Sequence, residues 1–134
     1  MLVTMLVAMR FVLGPAGSSA ESTVNDSVDP GPEADFVSRA RTALAALAAC
    51  KGYLSGRMAR ALDDPTHWSI LTEWESVGSY RRALSSYDVK VNATPLLAQS
   101  LDEPSAYEVL GDVAPGGGLT VAVSDRAEPA GELR

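Results

Sequence analysis

Cysteine and histidine are nearly absent from this sequence, which has one of each, Cys50 and His67, among its 134 residues. A single cysteine cannot form an internal disulfide, so the disulfide-stapled folds of small exported proteins are excluded. One histidine and one cysteine, without acidic residues at ligand spacing, cannot supply the three or four ligands of an ordinary metal site. We therefore expect no metal, and we expect Cys50 to pack in an alanine-rich helix rather than to act as a redox sensor.

Positive charge is also scarce. The chain has 11 Lys and Arg against 17 Asp and Glu, which gives a formal net charge of -6, and its basic residues are scattered. Binding to nucleic acid or to an anionic membrane surface requires a concentrated basic patch that neutralises phosphates. The composition therefore predicts no nucleic acid and no membrane as partners, and it favours small molecules or a second copy of the chain.

The hydrophobic run at residues 2–13 is too short for a membrane span. It resembles a secretory signal, but no Lys or Arg precedes it and Arg10 interrupts it, whereas a signal needs a basic leader and an unbroken apolar segment. We interpret the run as a buried β-strand. Together with the single cysteine, this interpretation favours a cytoplasmic location.

The length of the chain suits one domain with one hydrophobic core, which we assign to residues 1–112. Residues 14–32 contain many turn formers and almost no large apolar side chains, so they are predicted to form a flexible loop. The loop is either a lid or an inert insertion, and we favour the insertion. The Gly, Pro and acidic residues at 113–134 predict a disordered tail.

Hydrophobic periodicity predicts the order strand, helix, strand, strand, helix, strand. Residues 33–50 have apolar side chains at helical spacing, and Gly52 suits the end of that helix. The turn "DDPT" lies between two segments that are predicted to form a hairpin. Ser76 is expected to cap the next helix, Asp88 a further one that Pro95 interrupts, and residues 105–113 form the fourth strand.

This order is typical of an α+β, ferredoxin-like βαββαβ fold, in which a four-stranded antiparallel sheet carries its helices on one face. The strands are rich in Val, Leu, Met and Ile, so the helix-free face would expose an apolar surface to water. A second copy of the chain is expected to cover that face, which predicts a homodimer.

A candidate site lies along "HWSILTEW", where side chains alternate between the two faces of a strand. If one face points toward the helices, its side chains line a pocket suited to a flat apolar ligand. The predicted substrate-binding residues are Trp68, Ile70, Thr72, Leu84 and Tyr87, with Trp74 and Tyr80 beside them. The alternative is that these rings only fill the core.

Three arginines are candidates for binding an anionic or phenolate oxygen: Arg57 on the second strand, and Arg81 and Arg82 on the helix after Trp74. Solvated surface arginines are the commoner case. His67 follows a turn at a hairpin end, so a solvated histidine is favoured over a general base.

The segment "CKGYLSGRMARALDDPTHWSILTEWESVGSYRRAL" resembles the antibiotic biosynthesis monooxygenase family of dimeric α/β barrels. The resemblance rests on "CKGYL" at the start of the second strand, on the strand end "EWES" and on the closing "DEPSAYEVL", and it extends over residues 3–110. It implies a dimer with a pocket between each sheet and its own helices, and Trp74 matches the family's strand-end tryptophan.

The resemblance also implies chemistry. One branch of the family oxidises polycyclic phenols to quinones without metal or flavin, because the substrate's own carbanion reacts with oxygen. Another branch degrades haem and has a histidine on the helix after the tryptophan. Here that helix reads "VGSYRRALSS", with Leu84 near the expected place, so haem is not expected.

Two functions follow as hypotheses. The first is a cofactor-independent monooxygenase that oxidises an aromatic or polyketide-like molecule with O2, with Trp74 as pocket wall and donor and with Tyr80 and Arg57 as oxyanion partners. The second is a non-catalytic dimeric protein that binds a small ligand or acts as an accessory. A polar pocket with a buried base would favour the first, and side chains that fill the space would favour the second. An isomerase or cyclase would need a positioned acid and base that the sequence does not identify.

Overall fold

The computed structural model of the chain describes residues 4–14 and 31–121. Four strands form one antiparallel sheet: β1 (Met5–Val12), β2 (Tyr53–Arg60), β3 (His67–Trp74) and β4 (Ala106–Glu108). Their order is β2-β3-β1-β4, so the first strand lies inside the sheet between the third and the fourth. This topology confirms the ferredoxin-like α+β fold predicted from the element order.

The helices are α1 (Gly31–Ala48), α2 (Val77–Leu84), α3 (Tyr87–Asn92) and α4 (Thr94–Leu97). Ser76 caps α2 as predicted, because its hydroxyl accepts a hydrogen bond from the backbone N–H of Ser79. The prediction that Asp88 caps α3 is wrong. The cap is Ser86, which has extended backbone and accepts from the N–H of Val89, whereas Asp88 lies inside the first turn.

The core lies between the sheet and α1. Phe36 and Leu47 of α1 are buried, and two fully buried alanines, Ala40 and Ala43, allow the helix backbone to approach the strands closely. Each large side chain that is fully buried contributes about 1.5–3 kcal/mol. The rings of Phe36 and Trp68 lie 5.2 Å apart and join the helix to β3.

The side chains of alternate residues in each strand lie on the helix-free face. Across it Ala8 pairs with Leu71, and Arg10 pairs with Ser69. Arg10 also forms a two-pronged ion pair of 2.7 Å with Glu103. The face is therefore less apolar than the composition of the strands suggests, and its covering by a second copy stays a prediction.

The predicted fourth strand divides into two parts. β4 ends at Glu108, and a separate hairpin follows, made of β5 (Gly111–Val113) and β6 (Leu119–Val121). For residues 113–121 the structure thus differs from the predicted disordered tail, because residues on both sides of a Gly-containing turn pair with each other. Residues 122–134, and residues 15–30 of the predicted loop, lie outside the described residues. The domain boundaries stay predictions.

Candidate functional site

Trp74 is the last residue of β3, and its side chain is fully buried. The alternation along the strand places it on the helix side, where Ile70 and Thr72 are buried with it. Its indole lies between two tyrosines, with ring centroids 5.4 Å from Tyr53 and 5.5 Å from Tyr80. Tyr53, Trp74 and Tyr80 are called the aromatic cluster below.

The single hydrogen-bond donor of Trp74, its indole N–H, is already bound to Thr72. The indole Nε1 donates to Thr72 Oγ1 at 2.9 Å, and Thr72 is 3% exposed. An indole has a single N–H, so Trp74 has no further donor for a ligand. The predicted role of Trp74 as a donor therefore passes to the hydroxyl of Thr72, which still has its own hydrogen to donate.

Tyr80 differs from Trp74 in that its polar atom is not occupied. In the part of the chain that the structure describes, its hydroxyl has no hydrogen-bond partner, and no fully buried polar side-chain atom there lacks one. The Tyr80 oxygen thus remains open to solvent, although the residue is 9% exposed. Burial raises the pKa of the Tyr80 phenol above its ordinary value of 10.0, so near neutral pH the group stays protonated and acts as a donor.

Tyr53 closes the other side of the cluster, and burial raises the pKa of its phenol as well. Its hydroxyl passes over Gly56, where an added methyl group would overlap with it and would come within 3.0 Å of Leu44. Gly56 therefore leaves the space that the Tyr53 ring needs, which is a packing reason for glycine inside a strand.

The space between sheet and helices is small. Among the described residues, an enclosed cavity of about 10 Å³ lies there, and it holds roughly one water molecule. Tyr80 is the one ionisable residue in its described lining, which consists of Val7, Met9, Leu47, Ile70, Thr72, Tyr80 and Leu97. The predicted pocket is thus largely filled by side chains.

Five predicted site residues are not in the lining of this cavity: Trp74, Leu84, Trp68, Tyr87 and Arg57. Trp68 packs on Phe36, and its Nε1 donates to the backbone oxygen of Pro65 at 3.2 Å. Tyr87 is 82% exposed at the start of α3. Arg57 pairs with Leu71 on the helix-free face, so it does not meet Tyr80 as the sequence suggested.

The reason for the position of Arg57 is a bulge in β2. The register shifts between Tyr53 and Ser55, which adds one residue and reverses the alternation beyond it. Tyr53 and Gly56 therefore both lie on the helix side, while Arg57 lies on the opposite side. No pattern in the sequence marks this bulge.

A larger open space lies beside the cluster, between α2 and β4, and we call it the α2–β4 groove. Its volume is about 700 Å³, and its lining residues are Met5, Val77, Tyr80, Arg81, Leu84, Ala106, Tyr107 and Glu108. Tyr80 lines both the groove and the enclosed cavity. Leu84, a predicted substrate-binding residue, lies in the groove rather than in the cavity. Sequence reasoning missed the β4 part of this lining, because nothing in the sequence places the last strand beside α2.

A second cleft lies at the hairpin end of β3 and includes His67, Arg60 and Asp64. His67 Nε2 is 3.1 Å from Asp64 Oδ2, and both side chains are nearly half exposed. Hydrogen bonds from the hydroxyl and the backbone N–H of Thr66 lower the pKa of Asp64. These contacts agree with a turn histidine. Trp74 is seven residues along the same strand, at a distance of about 23 Å at the usual rise per residue.

Residues 4–14 and 31–121 contain neither a metal site nor a helix that could span a membrane. No group of three or more His, Cys, Asp or Glu side chains in these residues is placed to hold a metal ion. None of the described helices has the length and apolar character needed to cross a membrane.

The chain is similar to known proteins both in sequence and in fold. A family model described as antibiotic biosynthesis monooxygenase matches residues 24–91, which is half of the chain. Among solved structures, SnoaB, a cofactor-independent oxygenase from Streptomyces nogalater, is similar with a TM-score of 0.56 and 21% sequence identity, over 96% of this chain and 100% of SnoaB.

A conserved protein from Methanosarcina mazei Go1 is also similar, with a TM-score of 0.56 and 18% identity, over 79% of this chain and 92% of that protein. No curated protein matches the sequence. At such identities the solved structures establish the fold, and the family model establishes the kinship.

Proposed function

This chain belongs to the antibiotic biosynthesis monooxygenase family, and on that premise we propose that it is a cytoplasmic, cofactor-independent monooxygenase. Its substrate is a small aromatic or polyketide-like molecule, which it oxidises with O2. The observation that carries the proposal is the hydroxyl of Tyr80, which lines the α2–β4 groove and has no partner among the described residues. Such a donor in a desolvated setting stabilises a developing oxyanion.

The reaction proposed for the site oxidises a CH2 group in the ring system of a polycyclic phenol to the carbonyl group of a quinone. The carbon loses a proton, and the resulting carbanion donates its electrons to O2. The carbon then bonds to one oxygen atom and becomes a carbonyl, while the second oxygen atom leaves as water. The electrons that reduce O2 come from the two C–H bonds of the substrate, so the step needs no separate reductant.

The protein's part in this reaction is to favour the anion. Delocalised over a phenol or ketone oxygen, the substrate anion accepts a hydrogen bond from Tyr80, and the apolar lining of the α2–β4 groove, which includes Met5 and Leu84, excludes water around it. Thr72 supports the arrangement, because its bond to Trp74 holds the indole in place.

A second candidate function is a dimeric protein that binds a small ligand without chemistry. Two observations favour it: the enclosed cavity is about 10 Å³, and its described lining contains neither a carboxylate nor an imidazole. A base for the substrate proton would have to come from outside that lining. The lining of the α2–β4 groove contains one carboxylate, that of Glu108.

Both candidates are proposed to work as homodimers. Support comes from the helix-free face, where Val12 is 49% exposed and Leu71 lies beside Ala8. Sedimentation at micromolar concentration tests this, and a stable monomer there would contradict it.

The experiment for the oxygenase is oxygen consumption by metal-stripped protein with a panel of polycyclic phenols, corrected for spontaneous oxidation. Tyr80→Phe keeps the ring and removes the donor, so uptake should fall about 10²-fold, the usual effect of losing one oxyanion donor. Tyr53→Phe is the matched control, since it removes a hydroxyl on the other side of Trp74. No uptake by the native protein across the panel would leave the ligand-binding function.

A further inference from the structure

The two spaces beside Tyr80 differ greatly in what they can hold. The enclosed cavity of about 10 Å³ admits a water molecule. The α2–β4 groove, at about 700 Å³, falls within the usual range of small-molecule sites, roughly 300–1,000 Å³. A ligand of aromatic size therefore fits in the groove and not in the cavity.

The walls of the groove suit a flat apolar body. Met5, Leu84 and Ala106 supply apolar surface on its two sides. Tyr107 also borders the groove, but it pairs with Leu6, so its side chain lies on the helix-free face, where its hydroxyl donates to the backbone oxygen of Pro104 at 2.9 Å.

Arg81 gives the groove a positive group. Elsewhere in the described chain Arg10, Arg39 and Arg60 are each paired with a carboxylate, whereas no ion pair involves Arg81. A guanidinium binds a carboxylate or sulfonate through two parallel hydrogen bonds. Arg82, the next residue on α2, does not line the groove, so the helix itself supplies an internal control.

We propose that the α2–β4 groove binds an aromatic ligand with an acidic substituent, that Arg81 binds this substituent, and that Tyr80 is the wall shared with the enclosed cavity. This assignment rests on the proposed function and deepens it by naming the class of substrate. It places the aromatic ring of the ligand against Tyr80 and Leu84 and the acidic group at the α2 edge.

The test compares two fluorescent probes that differ in charge, 1-anilinonaphthalene-8-sulfonate and the neutral N-phenyl-1-naphthylamine. Arg81→Met should weaken binding of the sulfonate about 10-fold and leave the neutral probe unchanged. Arg82→Met removes the same charge from the same helix and should change neither. Equal effects of the two arginine variants would show a general charge effect and would overturn the role of Arg81.

The groove itself is tested by Ala106→Phe, which fills it from the exposed edge strand. Binding of both probes should fall at least 10-fold, while Ala45→Phe, at an exposed position of α1, should have no effect. Circular dichroism establishes that each variant is folded. Unchanged binding in a folded Ala106→Phe protein would overturn the assignment.

Failure of this proposal is distinguishable from failure of the oxygenase proposal, because probe binding needs no O2. Arg81-dependent binding without oxygen uptake supports the groove and contradicts the oxygenase. Oxygen uptake that Ala106→Phe leaves unchanged contradicts the groove and supports the oxygenase.

Discussion

The two tryptophans of β3 lie on the same face of one strand but in different surroundings. At the hairpin end, Trp68 donates to a backbone oxygen, and the guanidinium of Arg60 lies 5.6 Å from its ring centroid while pairing with Glu33 at 2.6 Å. At the other end, Trp74 donates to a side-chain hydroxyl and contacts two tyrosines. Tyr80 leaves a hydroxyl without a partner in the described structure.

This difference shows that residue type does not by itself identify a site. Both indoles are buried and both have their N–H satisfied. At the Trp74 end the hydroxyl of Tyr80 has no partner among the described residues and lies next to the α2–β4 groove. The polar groups around Trp68 are instead engaged with one another, as expected for a region that maintains the fold.

The largest effect is expected from truncating the two indoles. Trp74→Ala should reduce the free energy of unfolding by about 3–5 kcal/mol, because the ring is fully buried and its removal leaves a cavity. Trp68→Ala should cost less, since Trp68 is 7% exposed beside an open cleft into which neighbours can relax. Urea unfolding measures both. A larger loss for Trp68 would reverse the comparison.

Gly56→Ala should lower the free energy of unfolding by about 1–3 kcal/mol, the usual cost of overpacking. The added methyl group overlaps with the Tyr53 hydroxyl. Removing that hydroxyl in Gly56→Ala/Tyr53→Phe should restore part of the loss. Simple additivity of the two single variants would show that the hydroxyl is not the obstacle.

Thr72→Val removes the acceptor for the Trp74 N–H while keeping the shape of the side chain. A buried donor without a partner costs about 1–3 kcal/mol, and Thr72→Ser should retain most of the stability. Trp68 has no equivalent variant, because its acceptor is a backbone oxygen. If Thr72→Val unfolds at the same urea concentration as the native protein, the hydrogen bond contributes nothing.

The tyrosines of the cluster predict a dependence on alkaline pH. Burial raises the pKa values of Tyr53 and Tyr80 above 10.0, so between the unfolded and folded values the native state holds more protons. Their contribution to stability is full below pH 10 and is lost as the pH rises through the folded values. The loss should be smaller in Tyr80→Phe, and equal slopes in the two proteins would contradict it.

The smallest effect is expected at the hairpin end. Asp64→Asn removes the charge that faces His67, but the pair is solvent-exposed, and water and salt screen it. The unfolding midpoint should therefore move less than in Thr72→Val. A larger shift would mean that this turn contributes more to the fold than the aromatic cluster does.

Local patterns predicted much of the fold. The alternation in β3 predicted which side chains share a face, and Ser76 was correctly identified as a cap, because both depend on neighbours within a few residues. Asp88 was wrong as a cap since Ser86, two residues earlier, also suits that role. The bulge in β2 changed the face of Arg57, and the exposure of Tyr87 depends on where α3 begins.

By itself, the sequence determined the order of elements, which side chains of β3 share a face, and the scarcity of metal-binding side chains. These follow from periodicity and composition, which act over short stretches of chain. Only the tertiary structure decided which face of β3 is buried, that the cavity beside Tyr80 is nearly full and that β4 forms a groove with α2. The physical reason is that packing density and strand register depend on residues distant in sequence, so the volume left for a ligand is a property of the assembled fold.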